Sequence, residues 1–96
     1  MKKITVVAKL VAKKECAESV KSALLKLIAP TREEEGCIEY LLFLDNEDPD
    51  IFVFYETWES PSSLEKHLGT DHYKKYVADV ANMLEEKMVH KMTRID

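Results

Sequence analysis

Hydrophobic and polar residues follow two different periods along this chain. Three short stretches, 4–12, 37–44 and 51–58, are rich in β-branched and aromatic residues and predict β-strands. From position 16 onward the apolar residues recur at i, i+3, i+4 and i+7, which predicts an amphipathic helix. Pro30 lies inside this pattern and is expected to kink the helix or to begin a fresh turn.

Turn-forming residues divide the rest of the chain. Gly36 is suited to end the first helical region in the left-handed conformation. The polar segment 45–50 gives the second and third strands a short connection, which predicts a β-hairpin. A Ser-Pro pair begins a short helix predicted over 61–68, and Thr70 or Asp71 can cap the helix after it.

The last third of the chain completes a recognisable order of elements. Apolar residues between 73 and 84 predict a helix of about four turns, and weak alternation over 89–95 predicts the last strand. The order is β-α-β-β-α-β, with a short extra helix before the second long one. This is the ferredoxin-like α+β arrangement, a four-stranded antiparallel sheet with helices on one face. We expect residues 1–96 to form one such domain.

The predicted strands are apolar on both faces, although two amphipathic helices can cover only one. On the third strand Ile51, Val53 and Tyr55 point one way, whereas Phe54 and its even-numbered neighbours point the other. An uncovered apolar face costs about 25 cal/mol for each Å² left in water. We therefore expect a homodimer in which two copies of the sheet pack face to face.

Composition narrows the range of partners and cofactors. A net charge of −4 gives no electrostatic reason to expect nucleic acid or an anionic membrane. The lysine-rich start leads into a strand pattern rather than a signal peptide, and Cys16 and Cys37 are too few for a disulfide framework or zinc cluster. We expect a cytoplasmic protein with free thiols. The chain has no G-x-G-x-x-G, Walker, G-x-S-x-G or CxxC motif, so no nucleotide or flavin cofactor is expected.

Residues 55–76 hold the densest mixture of aromatic, acidic and imidazole groups, including the only Trp and two of the three His. Glu56 and Trp58 are two apart on the predicted third strand and point to the same face. We expect them to meet His67 and His72 at the polar end of a pocket between sheet and helices. The residues expected to line its apolar part are Val6, Ala8, Phe54, Trp58, Tyr73 and Tyr76.

Each candidate also has a purely structural interpretation. Trp58 can be a core residue whose indole N–H finds one partner. A buried Glu56 needs a partner, for which a nearby Arg or Lys or a helix start would suffice. His72 can be solvated, and the tyrosines of the last helix can belong to the core. His67 and His72 do not have the i, i+4 spacing that binds zinc on one helix, so no metal is expected.

Three segments carry a family resemblance: 56–60 (ETWES), 64–68 (LEKHL) and 70–73 (TDHY). They resemble the antibiotic biosynthesis monooxygenase superfamily, most closely its small bacterial quinol monooxygenase-like members. Residues 32–40 (REEEGCIEY) also resemble the family's E-x-G-C-x-x-Y joint between helix and strand. The resemblance implies a ferredoxin-like homodimer with a barrel-like interface. It also implies oxidation of phenolic or quinol-type aromatics by O₂ without metal, flavin or haem.

The implied chemistry assigns roles to the candidate residues. A deprotonated phenol can itself reduce O₂, so the protein need supply a base, orientation and a dry pocket. His67 or His72 is suited to take the proton, with Glu56 beside them, and the Trp58 N–H to hold a substrate oxygen. Ala8 stands near the position of an Asn that orients substrate in some members. No His lies near Val77, so the haem-degrading activity of another branch is not expected.

Two other functions are compatible with the same residues. One branch of the family isomerises a phosphorylated, sugar-like signalling molecule and resembles this chain at Thr70, His72 and Tyr73. The other is a dimeric small-molecule-binding module without turnover, because fold alone does not fix function. The isomerase needs a cation for the phosphate, and the candidates are Lys66, Lys74, Lys75 and Arg94.

Overall fold

The computed structural model describes residues 2–96 and has the predicted ferredoxin-like order. The strands are β1 (Ile4–Ala12), β2 (Cys37–Leu44), β3 (Ile51–Trp58) and β4 (Leu84–Met92). The helices are α1 (Ala17–Arg32), α2 (Pro61–Leu68) and α3 (Asp71–Val80), and a 3₁₀ turn at Lys14–Cys16 precedes α1. The four strands form one antiparallel sheet in the order β2-β3-β1-β4. The predicted fold class is therefore confirmed.

The boundary between α3 and β4 differs from the prediction. The helix ends at Val80, so the four-turn helix reaching residue 84 is wrong. Leu84 instead pairs with Ala12 of β1, and β4 ends at Met92, before the predicted 89–95 strand would end. Leu84 fits both the helical stripe and the start of a strand. Pairing with β1 decides between them, because β4 is nearly all exposed and its own sequence alternates only weakly.

Gly36 determines how the chain enters β2. Its φ of +90° is the left-handed conformation that was predicted, and it is the one described residue with that property. A Cβ at this position would lie 2.2 Å from Ser63 Oγ at the start of α2. The missing side chain therefore lets the turn after α1 pack directly on α2.

The two faces of the sheet have different surroundings. The inner face packs against the helices and supplies much of the core, in which Leu10 and Trp58 of the sheet and Leu24 of α1 are completely buried. On the outer face the apolar side chains stay partly or largely exposed, with Phe43 at 54% and Met92 at 46%. No helix among residues 2–96 is long and apolar enough to cross a membrane.

Candidate functional site

A cavity of about 210 Å³ lies between the inner face of the sheet and helices α2 and α3. One wall of the cavity is formed by alternate residues of β1, β3 and β4, whose side chains point toward the helices. Of the residues expected to line the apolar part, five are on the wall, namely Val6, Ala8, Phe54, Tyr73 and Tyr76. Glu56 and His67 supply inner polar groups. The wall is otherwise mostly apolar and aromatic, as in small-molecule sites.

Trp58 lies behind this wall rather than on it. The side chain is completely buried, and its indole N–H donates a hydrogen bond to Glu56 Oε1 at 2.9 Å. Its ring packs against that of His67, with the centroids 4.8 Å apart and the planes tilted by 36°. Trp58 therefore positions Glu56 and His67, and its N–H is already used. The hydrogen-bond partner of Glu56 is thus this indole N–H, where a nearby cation or a helix start would also have sufficed.

Glu34, which was not singled out in the sequence, joins the two histidines. It lies in the turn that packs against α2 at Gly36, while His67 is in the last turn of α2 and His72 is in the first turn of α3. His67 Nδ1–H donates to Glu34 Oε2 at 2.8 Å, and His72 Nε2–H donates to the same oxygen at 2.5 Å. His72 is thus hydrogen-bonded to Glu34 instead of being bound only by solvent. It does not line the cavity.

Burial and the hydrogen bond to Glu34 together determine the protonation and the tautomer of His67. Burial lowers the pKa of His67 below its ordinary value of 6.5, although the hydrogen bond and charge of Glu34 partly oppose the shift. The ring is therefore neutral at pH 7. Because Nδ1 carries the proton given to Glu34, Nε2 is a free acceptor, with no hydrogen-bond partner among residues 2–96. His67 lines the cavity, so Nε2 is the nitrogen offered to a ligand.

The pKa of Glu56 is shifted in the opposite direction, upward. Burial raises the pKa of its carboxyl group to about 7, while the Trp58 hydrogen bond and the charge of Lys87 oppose this rise. Near neutral pH the cavity therefore contains a neutral imidazole that accepts a proton and a carboxylic acid that can donate one. Two groups with divergent pKa shifts in one cleft are a common mark of acid–base chemistry.

Several lining residues were missed by sequence reasoning. The ring of Tyr40 on β2 packs at a tilt against Phe54, with centroids 4.9 Å apart, and lies edge-on to His67 at 5.7 Å. Burial raises the pKa of Tyr40 and of Tyr76 well above the usual range, so both stay neutral hydrogen-bond donors. Lys87 and Lys91 of β4 also line the cavity. None of the cations that the sequence offered for binding a phosphate lines the cavity, namely Lys66, Lys74, Lys75 and Arg94.

The remaining candidates lie away from the cavity. His90 is exposed and pairs with Val7 in the outer-face register. Burial, with smaller contributions from Glu34 and Glu56, raises the pKa of the Cys37 thiol to about 11. Cys37 is therefore a protonated, half-buried thiol rather than a nucleophile.

Glu34, His67 and His72 also form a donor set that a divalent transition metal could use. Their nitrogen and oxygen ligand atoms lie within 4.8 Å of one another, and two imidazoles with a carboxylate suit zinc or iron. Here both N–H groups point at one carboxylate oxygen, so the three side chains already satisfy one another. Metal binding would require both hydrogen bonds to be replaced.

The fold and the cavity define a class: a small ferredoxin-like protein with an aromatic pocket between sheet and helices and an imidazole–carboxylate pair inside it. A family model described as "Antibiotic biosynthesis monooxygenase" matches residues 3–79. The chain belongs to this family, as the sequence resemblance indicated.

Individual proteins agree with this assignment. The chain is 31% identical over 81 residues to "Putative monooxygenase Rv0793" of Mycobacterium tuberculosis, covering 84% of this chain and 79% of that one. The solved structure of Rv0793 has a TM-score of 0.93 and covers 98% and 96% of the two chains at 27% identity. PA3566 from Pseudomonas aeruginosa has a TM-score of 0.95 at 28% identity, covering 100% and 97%. "Probable quinol monooxygenase YgiN" of Escherichia coli K12 is 34% identical over 67 residues, 62% of this chain and 64% of that one.

Proposed function

We propose that the protein is a cofactor-independent monooxygenase that oxidises a phenolic or quinol-type aromatic with O₂. Membership of the family and the monooxygenase names of its relatives support the reaction class. The observation that carries the proposal is His67: it lines an aromatic cavity, and its Nδ1–H is held by Glu34, which leaves Nε2 as the ring nitrogen free to take a proton. A carboxylate–imidazole pair of this kind is the arrangement that prepares a histidine to act as a general base.

The reaction balances with the quinol as its own reductant. His67 Nε2 takes the proton from a substrate hydroxyl, and the resulting phenolate transfers an electron to O₂. Recombination of the two radicals forms a C–O bond at the ring, and loss of water leaves a hydroxylated quinone. One quinol and one O₂ thus give one hydroxyquinone and one H₂O. Glu56 in its acid form is placed to donate a hydrogen bond or a proton to the developing oxygen anion.

The two acid–base groups give a characteristic pH dependence. The base is lost when His67 becomes protonated, at a pKa below 6.5. The acid is lost when Glu56 ionises, at about pH 7. We expect kcat/KM to be bell-shaped with a maximum between these two values and to fall about tenfold per pH unit outside them.

The cavity volume favours a substrate with one aromatic ring. A dry protein cavity of about 150 Å³ is large enough to hold benzene, and this cavity has about 210 Å³. A single ring with two hydroxyl groups therefore fits in it. Larger ring systems would have to extend through the open mouth.

The test is a stoichiometric oxygen measurement with hydroquinone and 2-methylhydroquinone. Uptake of one O₂ per quinol, with no O₂ returned when catalase is added, identifies a monooxygenase. A simple oxidase produces H₂O₂, from which catalase returns half of the O₂. Incorporation of ¹⁸O from ¹⁸O₂ into the product completes the assignment. Uptake no faster than autoxidation for every quinol would count against the proposal.

We also infer that two copies pack through the outer face of the sheet. Exposed apolar side chains on that face, Phe43, Tyr55, Met88 and Met92, support this assembly. Sedimentation at micromolar concentration is expected to give a dimer, and Phe43→Glu is expected to weaken it. A single species of 11.1 kDa for the unmodified chain would contradict the inference.

A second candidate is the isomerase of a small phosphorylated carbonyl compound. Lys87 and Lys91 on the cavity wall favour it, because they are cations that can hold a phosphate. This reaction consumes no O₂. Anaerobic conversion of a phosphorylated hydroxyketone, followed by ³¹P NMR, separates it from the monooxygenase.

A further inference from the structure

Two lysines stand at the edge of the cavity on β4. Lys87, Val89 and Lys91 alternate along the strand and pair with Leu10, Ala8 and Val6, so they share the inner face. All three line the cavity. Neither lysine forms a salt bridge with a carboxylate within the described chain, residues 2–96. The edge of the site thus carries two unpaired positive charges.

Lys87 is held near the cavity by aromatic rings. Its Nζ lies 5.2 Å from the centroid of Tyr76 and 5.7 Å from that of Tyr73, which are both cavity residues. These distances are within the range of cation–π attraction. The charge of Lys87 also acts on Glu56, whose pKa it lowers, so the lysine and the inner carboxyl share one electrostatic environment.

The charges of the site are therefore separated along the cavity. Glu56 and the Glu34-bound His67 occupy the buried end, and the two lysines occupy the rim. A ligand carboxylate at the buried end would lie beside Glu56 and be repelled once that group ionises. At the rim the same carboxylate would meet two cations that have no other partner.

We propose that the ligand of this cavity is a single-ring phenol or quinol with an anionic substituent, bound with its hydroxyl end at His67 and its anionic group at Lys87 and Lys91. The proposal deepens the function given above and rests on it for the orientation of the ring. A carboxylate, a sulfonate or a phosphate has the required charge, so the experiment compares these groups.

Anaerobic calorimetry measures binding separately from turnover. The probes are 2,5-dihydroxybenzoate and the uncharged 2-methylhydroquinone, which have a similar ring and differ in charge. We expect the wild-type protein to prefer the anion, and the preference to decrease with added salt because the lysines are exposed. In the double variant Lys87→Gln/Lys91→Gln, the ratio of the two affinities should fall about fivefold to tenfold. Lys74→Gln removes the same charge from α3, outside the cavity, and should leave the ratio unchanged.

The other outcomes are equally informative. Equal affinity of the wild type for both probes, or equal loss of both in the double variant, would overturn the proposal. Phenyl phosphate and benzenesulfonate that bind with the same lysine dependence would support it, whereas inorganic phosphate binding as tightly would show that the ring contributes nothing. Lysine-dependent binding without any O₂ uptake would refute the monooxygenase and leave the anion site in place. O₂ uptake from neutral quinols without a preference for the anion would support the monooxygenase and refute the anion site.

Discussion

The two ends of the cavity hold their charged groups in opposite ways, although both lie on one face of one sheet. At the inner end Glu56 is 6% exposed and His67 1% exposed, and both are hydrogen-bonded to neighbours. At the rim Lys87 and Lys91 are exposed, with no carboxylate partner among residues 2–96. Burial therefore sets the protonation state of the inner groups, which suits chemistry. Exposure keeps the rim charged and screened by salt, which suits selection of a ligand.

The largest expected effect is the loss of the inner base. His67→Gln keeps a polar group of similar size but cannot take a proton, so kcat with a quinol should fall about a thousandfold. Anaerobic calorimetry with 2,5-dihydroxybenzoate should still show binding, because the rim lysines are intact. Circular dichroism checks that the variant folds. A folded variant with full O₂ uptake would remove His67 from the mechanism.

Glu56→Gln tests the effect of burial on the inner carboxyl. Folding raises the pKa of Glu56 from 4.5 to about 7, so its protonated form is favoured in the folded protein. The stability associated with this proton is fully present below pH 4.5 and is lost as the pH rises through about 7. Gln is uncharged and still accepts the Trp58 N–H. At pH 8 the variant should therefore be more stable by about 3 kcal/mol, since each pKa unit is worth about 1.4 kcal/mol.

Urea unfolding at pH 8 and pH 5 measures this difference. Near pH 5 most of the native Glu56 is already protonated, so the gain should be much smaller there. Glu59→Gln, an exposed neighbour, is the control and should change stability by less than about 0.5 kcal/mol at either pH. A gain that does not depend on pH would mean that the charge of Glu56 is not the cause.

Glu34→Gln tests whether the carboxylate behind His67 positions the base. The amide oxygen can accept both N–H bonds but is uncharged, so it holds the imidazole of His67 more weakly than the carboxylate does, and kcat should fall about tenfold to a hundredfold. Glu34 raises the pKa of His67 against the effect of burial, so its removal should move the acid limb of the pH profile to lower pH. Glu33→Gln is the matched control, because Glu33 is exposed and next in sequence. A lower kcat with an unmoved acid limb would indicate a structural role alone.

The sequence predicted the first three strands better than the last one. The bounds of β1, β2 and β3 match the prediction because each is an apolar run that pairs with a neighbouring strand along its length. Lys87 was missed because it fell between the predicted end of the helix and the predicted start of the last strand. Only pairing with β1, a long-range contact, makes residues 84–92 a strand.

The candidate site was also predicted only in part. Glu56 and His67 were found because an acid and an imidazole in an otherwise apolar, aromatic segment are conspicuous. Glu34 was not, because it is one of three consecutive glutamates and the sequence does not say which one points inward. In the structure Glu34 is the one that reaches His67 and His72, from a turn that packs against α2 at Gly36. The glutamate of the helix-to-strand joint in residues 32–40 was the one signal available.

The smallest expected effect compares two valines on the wall of the same cavity. Val6 on β1 is 3% exposed. Val89 on β4, which pairs with Ala8 of β1, is 49% exposed. Val6→Ala should cost about 2 kcal/mol of unfolding free energy, because a buried valine contributes about 1.5–3 kcal/mol. Val89→Ala should cost less than half as much, about 0.5–1 kcal/mol, because half of its surface is already in water. Urea unfolding of both variants gives the ratio, and equal losses would show that the rim is covered in solution, as it would be if a second copy reached over β4.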